Sequence, residues 1–441
     1  AGFGATGAAS WDTTVKTSGF TAVSGVGYFV DTTSGAISVN LPAGTAGDVV
    51  AIKDYANTFD TNAVTLVRNG SDKIGGVAVN ASLEVEGLAV TLVYVDATKG
   101  WLVTDNGTQN TAPTRLYVTA TGGTPTTSPC GDYKIHTFTG PGALCVSCAG
   151  TACGSNTVEY LVVAGGGGSP ETTPCNEYRY SSGGGGAGGF RFTSPSLAGD
   201  TYPAKPLANP AALPVSVQSY TITVGGGGAK GQPGSSYGSS GNNSTFSTIT
   251  STGGGRGGIG GSVLNTPQGN GATGGSGGGS GGQDPYSAGT GNTPPVSPPQ
   301  GNTGSEGSNT SYTYGGGGGG ALAIGGTGAS PPTLGQGQGG NGGVGAGLPN
   351  AFGTSGESSG GYYYFSGGAG GGAQYNQSGG NGTNSTGGLG GGAPGKSGSS
   401  SAPDGTVNTG GGGGGAGAYG GPNNGGAGGS GIVIIRYKFQ N

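Results

Sequence analysis

"TSYTYGGGGGGALAIGGTGAS", residues 310–330, sets six glycines in a row behind two tyrosines. A run like this is expected to be floppy. Yet similar runs recur at 165–168, 183–189, 225–228, 253–258, 367–372, 388–392 and 410–415. Glycine makes up 113 of the 441 residues. Ordering a backbone residue costs about 1–2 kcal/mol, and glycine loses the most freedom, so fixing them all costs on the order of 100 kcal/mol. Side-chain burial cannot offset that, because glycine has no side chain. The backbone can: every glycine brings one N–H and one C=O that must be paired if buried. An extended helix of three residues per turn, like polyproline II, points its amides outward to neighbouring helices, and only glycine lets such helices pack closely. Collagen is excluded, since no strict Gly-X-Y period appears. A disordered or silk-like spacer is the alternative on composition alone.

The flanking segments favour the folded reading. "YKIHTFTG" (133–140), "NTVEYLVVAGGGG" (156–168) and "SYTITVGGGG" (219–228) have strand character, and the last two run straight into glycines; "GIVIIRYKFQN" (431–441) leaves one. A flexible linker needs no apolar clasp at both ends, whereas a folded unit does. The first 110 residues read differently. Ile37, Val39 and Leu41 alternate, Leu88, Val90, Leu92 and Tyr94 alternate, and Asp96–Gly100 turns the chain back toward Trp101 and Val103. Short strands punctuated by Gly, Asn and Asp indicate a β-sandwich or jelly roll. No segment has a convincing capped helical period. The sequence therefore predicts an all-β plus polyglycine-II protein. Its parts are a β-sandwich at 1–110 that attaches or spaces, a Thr/Pro/Gly-rich linker at 111–128 with one strand near 115–120, a Cys-containing β region at 129–224, and a glycine-rich polyglycine-II domain at 225–441 with exposed loops.

Charge narrows the function. Lys and Arg number 15 and Asp and Glu 19. Between 225 and 430 only Lys230, Arg256, Asp284, Glu306, Glu357, Lys396 and Asp404 are charged. With no basic patch, a nucleic-acid partner is not expected. No apolar run approaches the ~18 residues a membrane helix needs, so membrane insertion is not expected. The chain opens on Ala1 rather than Met, which leaves room for residues ahead of it.

"VEYLVVAGGGG", the many glycine runs and the closing "GGSGIVIIRYKF" together resemble the glycine-rich receptor-binding domains of bacteriophage tail fibres and tail adhesins. The stretch "YFVDTTSGAISVNLPAGTAGDVVAIKDYANTFDTN", with "LVYVDATKGWLV" after it, resembles a β domain of cyanophage-type tail-fibre proteins. The resemblance implies a polyglycine-II bundle whose tip loops bind a host-cell surface receptor, either a glycan or an outer-membrane protein. It also implies a virion location, other virion tail proteins as partners, and a possible homotrimer. Tip loops vary within such families, so no binding residue transfers by motif. The inserts at 169–182 and 190–218 depart from the pattern and leave the size of the bundle open.

Aromatic segments between the runs are the candidate receptor-binding surface: Tyr178 and Tyr180, Tyr286, Tyr312 and Tyr314, Tyr362, Tyr363, Tyr364 and Phe365, and Tyr375. A glycine core leaves little room for rings, which places them at the bundle's ends or sides. Tyrosine gives large contact area at low entropy cost, with a hydroxyl attached. Edge covering or a protomer contact is the competing role. A purely structural subunit of an extracellular or virion filament is the competing function.

No enzymatic activity is expected. "GFGATG" (2–7) lacks the strand and helix that a dinucleotide loop requires. "GSSYG" (234–238) is a chance product of so much Gly and Ser. The single imidazole, His136, would have to serve any Ser-His-Asp hydrolase and reads as structural. Glu84 and Glu86 share a strand face and could form a glycosidase pair, but a solvated face explains them as well. Cys130, Cys145, Cys148, Cys153 and Cys175 are disulfide candidates, with metal binding or free thiols as alternatives. No cofactor or metal is called for.

Overall fold

A computed structural model describes residues 9–107, 116–151, 154–172, 180–231, 237–260, 267–282, 286–308, 313–329, 337–374, 384–418 and 423–440. The chain divides into two units, Ala1–Thr114 and Arg115–Asn441. All regular structure among these residues is strand, apart from four single-turn 3-10 helices.

In the first unit two sheets enclose one apolar core. One sheet runs Ser10–Lys16, Val26–Val30, Val49–Asp54, Ala89–Tyr94, Trp101–Gly107; the other runs Phe20–Thr21, Ile37–Asn40, Val64–Val67, Ala81–Leu83. Val30, Ile52, Leu92 and Trp101 from the first meet Val39, Val64 and Leu66 from the second. A jelly roll is antiparallel, and this unit is not one. Its first six strands alternate between the sheets and pair in parallel, so the chain winds in flattened coils before an antiparallel finish. Gly25 (φ +81°) and Gly35 (φ +145°) lie where the chain passes from one sheet to the other, in backbone conformations that side chains resist. Alternation in the sequence reports which side chain faces inward and is silent on strand direction. The expected hairpin is present, with Tyr94 opposite Trp101. Glu84 and Glu86 are exposed and follow the strand Ala81–Leu83 rather than sharing a face of it.

The second unit erases two expected boundaries. The region read as linker carries the strands Val118–Thr121 and Thr124–Thr127, paired respectively with Gly142–Ala149 and Tyr133–Phe138. No break falls at 224/225 either. The last strand, Ile432–Lys438, inserts between Tyr133–Phe138 and Thr157–Val163, antiparallel to both. The segments that open and close the glycine-rich stretch are thus direct neighbours, with Leu161 opposite Ile434 and Val163 opposite Ile432. All four of these side chains are fully buried. Each strand also carries one buried charge, and the register sets Glu159 opposite Arg436 as an ion pair. Glu159 accepts further hydrogen bonds from the Ser194 hydroxyl (3.0 Å) and from the Ser196 amide (2.8 Å) and hydroxyl (2.9 Å). The Arg436 guanidinium stacks 3.7 Å from the centre of the Tyr133 ring. Breaking such a pair from one side leaves an uncompensated buried charge, whereas keeping it fixes the register.

Above this base the glycine runs lie side by side. Run 183–189 shows the rule. Gly183, Gly186 and Gly189 donate to the carbonyls of Gly258, Gly255 and Thr252; Gly184 and Ala187 to Gly316 and Gly319; Gly185 and Gly188 to Gly413 and Gly410. Every third amide therefore addresses the same neighbour. Run 315–320 repeats the pattern: Gly315 and Gly318 donate to Gly372 and Ala369, Gly316 and Gly319 to Ser280 and Gly277. These bonds measure 2.8–3.0 Å. The runs approach so closely that a Cβ on Gly185 would sit 2.0 Å from the Gly167 oxygen, and one on Gly318 2.1 Å from the Gly185 oxygen. At Gly226 the nearest atom would be 3.7 Å away.

This contrast is testable. Gly185→Ala is expected to destabilise the second unit by about 3 kcal/mol or more through overpacking that the backbone cannot relieve. Gly226→Ala should lie within about 1 kcal/mol of the parent chain. Denaturant midpoints of the two variants check this, and equal midpoints would refute close packing as the reason for glycine.

Candidate functional site

The glycine runs have two distinct ends. One end feeds the apolar sheet through Val163, Phe190 and Ile432. At the other, the described residues flanking segments 173–179, 309–312, 330–336, 375–383 and 419–422 are bonded to one another. Thr172 donates its amide to the Asn423 carbonyl at 2.9 Å. Gln374 donates to the Thr313 carbonyl at 3.0 Å and accepts from the Thr313 amide at 2.9 Å. The Ser181 amide donates to the Thr313 hydroxyl at 3.1 Å. Gln374 bridges Ala418, and Ala329 pairs with Gln338, whose side chain donates to the Asn384 carbonyl at 3.1 Å. Five stems therefore share one face, held by amides, hydroxyls and backbone rather than by charge.

The aromatic candidates divide. Tyr178, Tyr312 and Tyr375 lie outside the described residues, as do Cys153 and Cys175. Tyr180 is half-buried. Tyr314 and Tyr286 are buried, at 1% and 7% exposure, contrary to the expectation that a glycine core excludes rings. The reason is local: Gly337 faces the Tyr314 ring and Gly269 faces that of Tyr286, so close that any Cβ there would overlap the ring. A missing side chain opens a slot that a ring fills. Tyr362, Tyr363, Tyr364 and Phe365 form the strand Tyr362–Phe365, flanked by Ala346–Leu348 and Glu357–Ser359. Phe365 is buried in the core with Phe192 and Phe352, so it joins the small sheet to the base instead of facing a receptor. The three tyrosines are half-buried: Tyr362 donates its hydroxyl to the Thr201 carbonyl at 3.2 Å, and Tyr364 lies over Gly347. Glu357 pins this sheet to a glycine run by accepting the amides of Gly390 and Gly391 at 2.7 and 2.8 Å, an anion-binding backbone nest.

Cys130, Cys145 and Cys148 carry free thiols. The Cys130 thiol is held below its ordinary pKa of 9.0, chiefly by hydrogen bonding to Ser128, whose hydroxyl lies 3.0 Å away. Among the described residues no three His, Cys, Asp or Glu side chains gather as for a metal ion, and no helix is long and apolar enough to cross a membrane. A cavity of about 300 Å³ beside Tyr133, Asn156, Ser196 and Lys438 reaches Glu159, but both carboxylate oxygens there are already engaged.

The family model for a glycine-rich domain matches residues 147–438. The chain belongs to the glycine-rich domain family. The matched residues run from the strand Gly142–Ala149 to the end of Ile432–Lys438, so this family's domain includes both sheet base and glycine runs. The chain is also 38% identical over 92 residues to the baseplate wedge protein gp10 of Enterobacteria phage T4. That stretch covers 20% of this chain and 15% of the relative.

Sequence reading treated His136 as structural, and the geometry gives it a definite part. Its Nδ1 lies 2.6 Å from the Gly122 carbonyl, which can only accept, so Nδ1 carries the proton. Nε2 lies 3.0 Å from the Tyr437 hydroxyl, whose single proton is shared between Nε2 and the Ala120 carbonyl at 3.2 Å. Burial, and then the nearby Lys134, push the imidazole below its ordinary pKa of 6.5, against an opposing pull from the Gly122 hydrogen bond. Folding thus favours the neutral form of His136. Its stabilising effect is fully present above the unfolded value and is lost as pH falls through the lower folded value, because the unfolded chain takes up the proton first. Between about pH 8 and pH 5 the stability difference between the parent chain and His136→Gln should shrink on acidification. A difference independent of pH, measured by denaturant titration, would refute this.

Proposed function

We propose that this chain is a structural component of a phage tail that displays host-recognition segments on a bundle of packed polyglycine-II rods and has no catalytic role. The observation that carries the reading is the convergence of five stems on one face, opposite the apolar base. The three-residue recurrence of amide direction suits polyglycine-II, whose rise of about 3.1 Å per residue would set base and stem face roughly 20 Å apart across a seven-residue run. Rods bonded in three directions form a stiff platform, and stiffness reduces the ordering cost of recognition. Several tips on one virion would raise avidity through effective concentration without new contacts.

The local likeness to a baseplate wedge protein supports a virion setting with other tail proteins as partners. It also favours a second reading, in which the chain is purely a structural subunit and the stem face is an assembly contact. A homotrimer would suit either.

Two measurements test the reading. Hydrogen exchange should find the amides of 315–320 and 410–415 protected; free-peptide exchange rates there would rule out the rods. Purified chain should adsorb to at least one strain in a bacterial panel, and replacing 309–312 and 375–383 with Gly-Ser segments of equal length should abolish adsorption without lowering the thermal midpoint. Undiminished adsorption, or concentration-dependent filaments with no adsorption, would refute the adhesin.

A further inference from the structure

Charge is scarce in the glycine runs, and about half of it is answered. Lys230 pairs with Asp404 at 3.6 Å, and Glu357 is held by two amides. Among the described residues Arg256 has no counter-charge, and unlike the exposed Glu306 its side chain is half-buried. It interrupts run 253–258, with its backbone amide on the Ser240 hydroxyl at 3.3 Å and its carbonyl accepting from Ala272 at 2.9 Å. Its guanidinium is part-buried, and burial lowers its pKa. One nitrogen, Nη1, donates to two carbonyls, Gly257 at 3.2 Å and Gln268 at 3.4 Å. Nε and Nη2 have no acceptor and no carboxylate lies in ion-pair range, among the described residues.

Two neighbours share the spot. Tyr237, 50% exposed, lies three residues before Ser240, whose hydroxyl accepts the Arg256 amide, and its field reaches the guanidinium. Gln268, which already touches Arg256 through its carbonyl, has a buried side-chain oxygen, Oε1, without a hydrogen-bond partner. A half-desolvated cation without a counter-charge is costly, and so is a buried acceptor left unpaired. One ligand would relieve both: an oxyanion for the planar guanidinium fork, and hydroxyls for the amide oxygen once the half-exposed Gln268 side chain turns it outward. A ring for the exposed tyrosine face to stack on completes the description. A pyranose bearing a carboxylate has all three.

We propose that Arg256, Tyr237 and Gln268 form a subsite on the side of the glycine runs for a carboxylate-bearing sugar of a surface polysaccharide. This rests on the adhesin reading and names the chemistry recognised. The carboxylate is favoured over a phosphate because the guanidinium has donors left on one edge, which matches a planar two-oxygen acceptor. Arg256 would supply affinity for charge, Tyr237 the sugar platform, and Gln268 the hydroxyl contact.

The test uses the full chain and calorimetric titration with three probes of equal length: an oligogalacturonate, a phosphorylated oligomannose and a neutral malto-oligosaccharide. The oligogalacturonate should bind about tenfold or more tighter than the neutral probe. Arg256→Gln should erase that preference, Tyr237→Ala should weaken both probes alike, and Arg256→Lys, which keeps the charge and loses the fork, should lose most of it. The proposal is overturned by equal binding of acidic and neutral probes, by preference for the phosphorylated probe, by binding of none, or by an Arg256→Lys chain that discriminates as the parent does. Adsorption separates the two readings. If Arg256→Gln adsorbs to cells as the parent does, the subsite falls and the adhesin stands. If the parent chain discriminates among the probes yet adsorbs to no strain, the adhesin falls and the subsite stands.

Discussion

The second unit depends on amide-to-carbonyl bonding between glycine runs whose backbones touch. Everything else in it follows from that constraint. Backbone polar groups buried away from water must be paired, and a run with no side chains has nothing else to offer. Close approach is what allows the pairing, and it is also what forbids a Cβ at positions such as Gly185 and Gly318. The glycines are therefore not spacers between structural elements; they are the elements. Ala187, Ala369 and Ala416 are buried within the runs at full occlusion, so a methyl is accepted where the neighbouring backbone leaves room.

Such an interior has no hydrophobic preference for one arrangement over another, since each run resembles the next. Register has to come from outside. The apolar base provides it through the pairing of Thr157–Val163 with Ile432–Lys438, where Glu159 and Arg436 meet only in one alignment. Sliding either strand by one position would turn its buried side chains to the opposite face and part the two charges. Rings provide further markers: Tyr314 opposite Gly337 and Tyr286 opposite Gly269 fit slots made by single glycines. The aromatic residues thus divide their work between locating runs inside the unit and furnishing surface, and burial decides which is which.

The function proposed for this scaffold is display. The stem face holds five chain segments on hydrogen-bonded footings, and the side of the runs carries one unanswered arginine among glycines. Both features gain from a charge-poor surround, in which a single guanidinium dominates the local field and a tyrosine or amide is not masked by salt bridges.

Much of this was legible in the residues. The entropy of 113 glycines against so few side chains meant that any folded interior had to be backbone-bonded, and the apolar strands "VEYLVV" and "GIVIIRY" favoured a folded, clasped unit over a spacer. The alternation at Ile37–Leu41 and the turn before Trp101 located strands in the first unit. Two charges in largely apolar strands, Glu159 and Arg436, were a signal of pairing that sequence reading passed over. What the chain alone did not disclose was long-range: parallel coils in place of a jelly roll, strands inside a Thr/Pro-rich stretch, the final strand inserted beside residue 160, and Tyr314 and Phe365 turned inward. Composition and period are local quantities that determine whether a segment can bury its backbone or a face. Partner, direction and register depend on which distant segment meets it, and only the tertiary structure decided those.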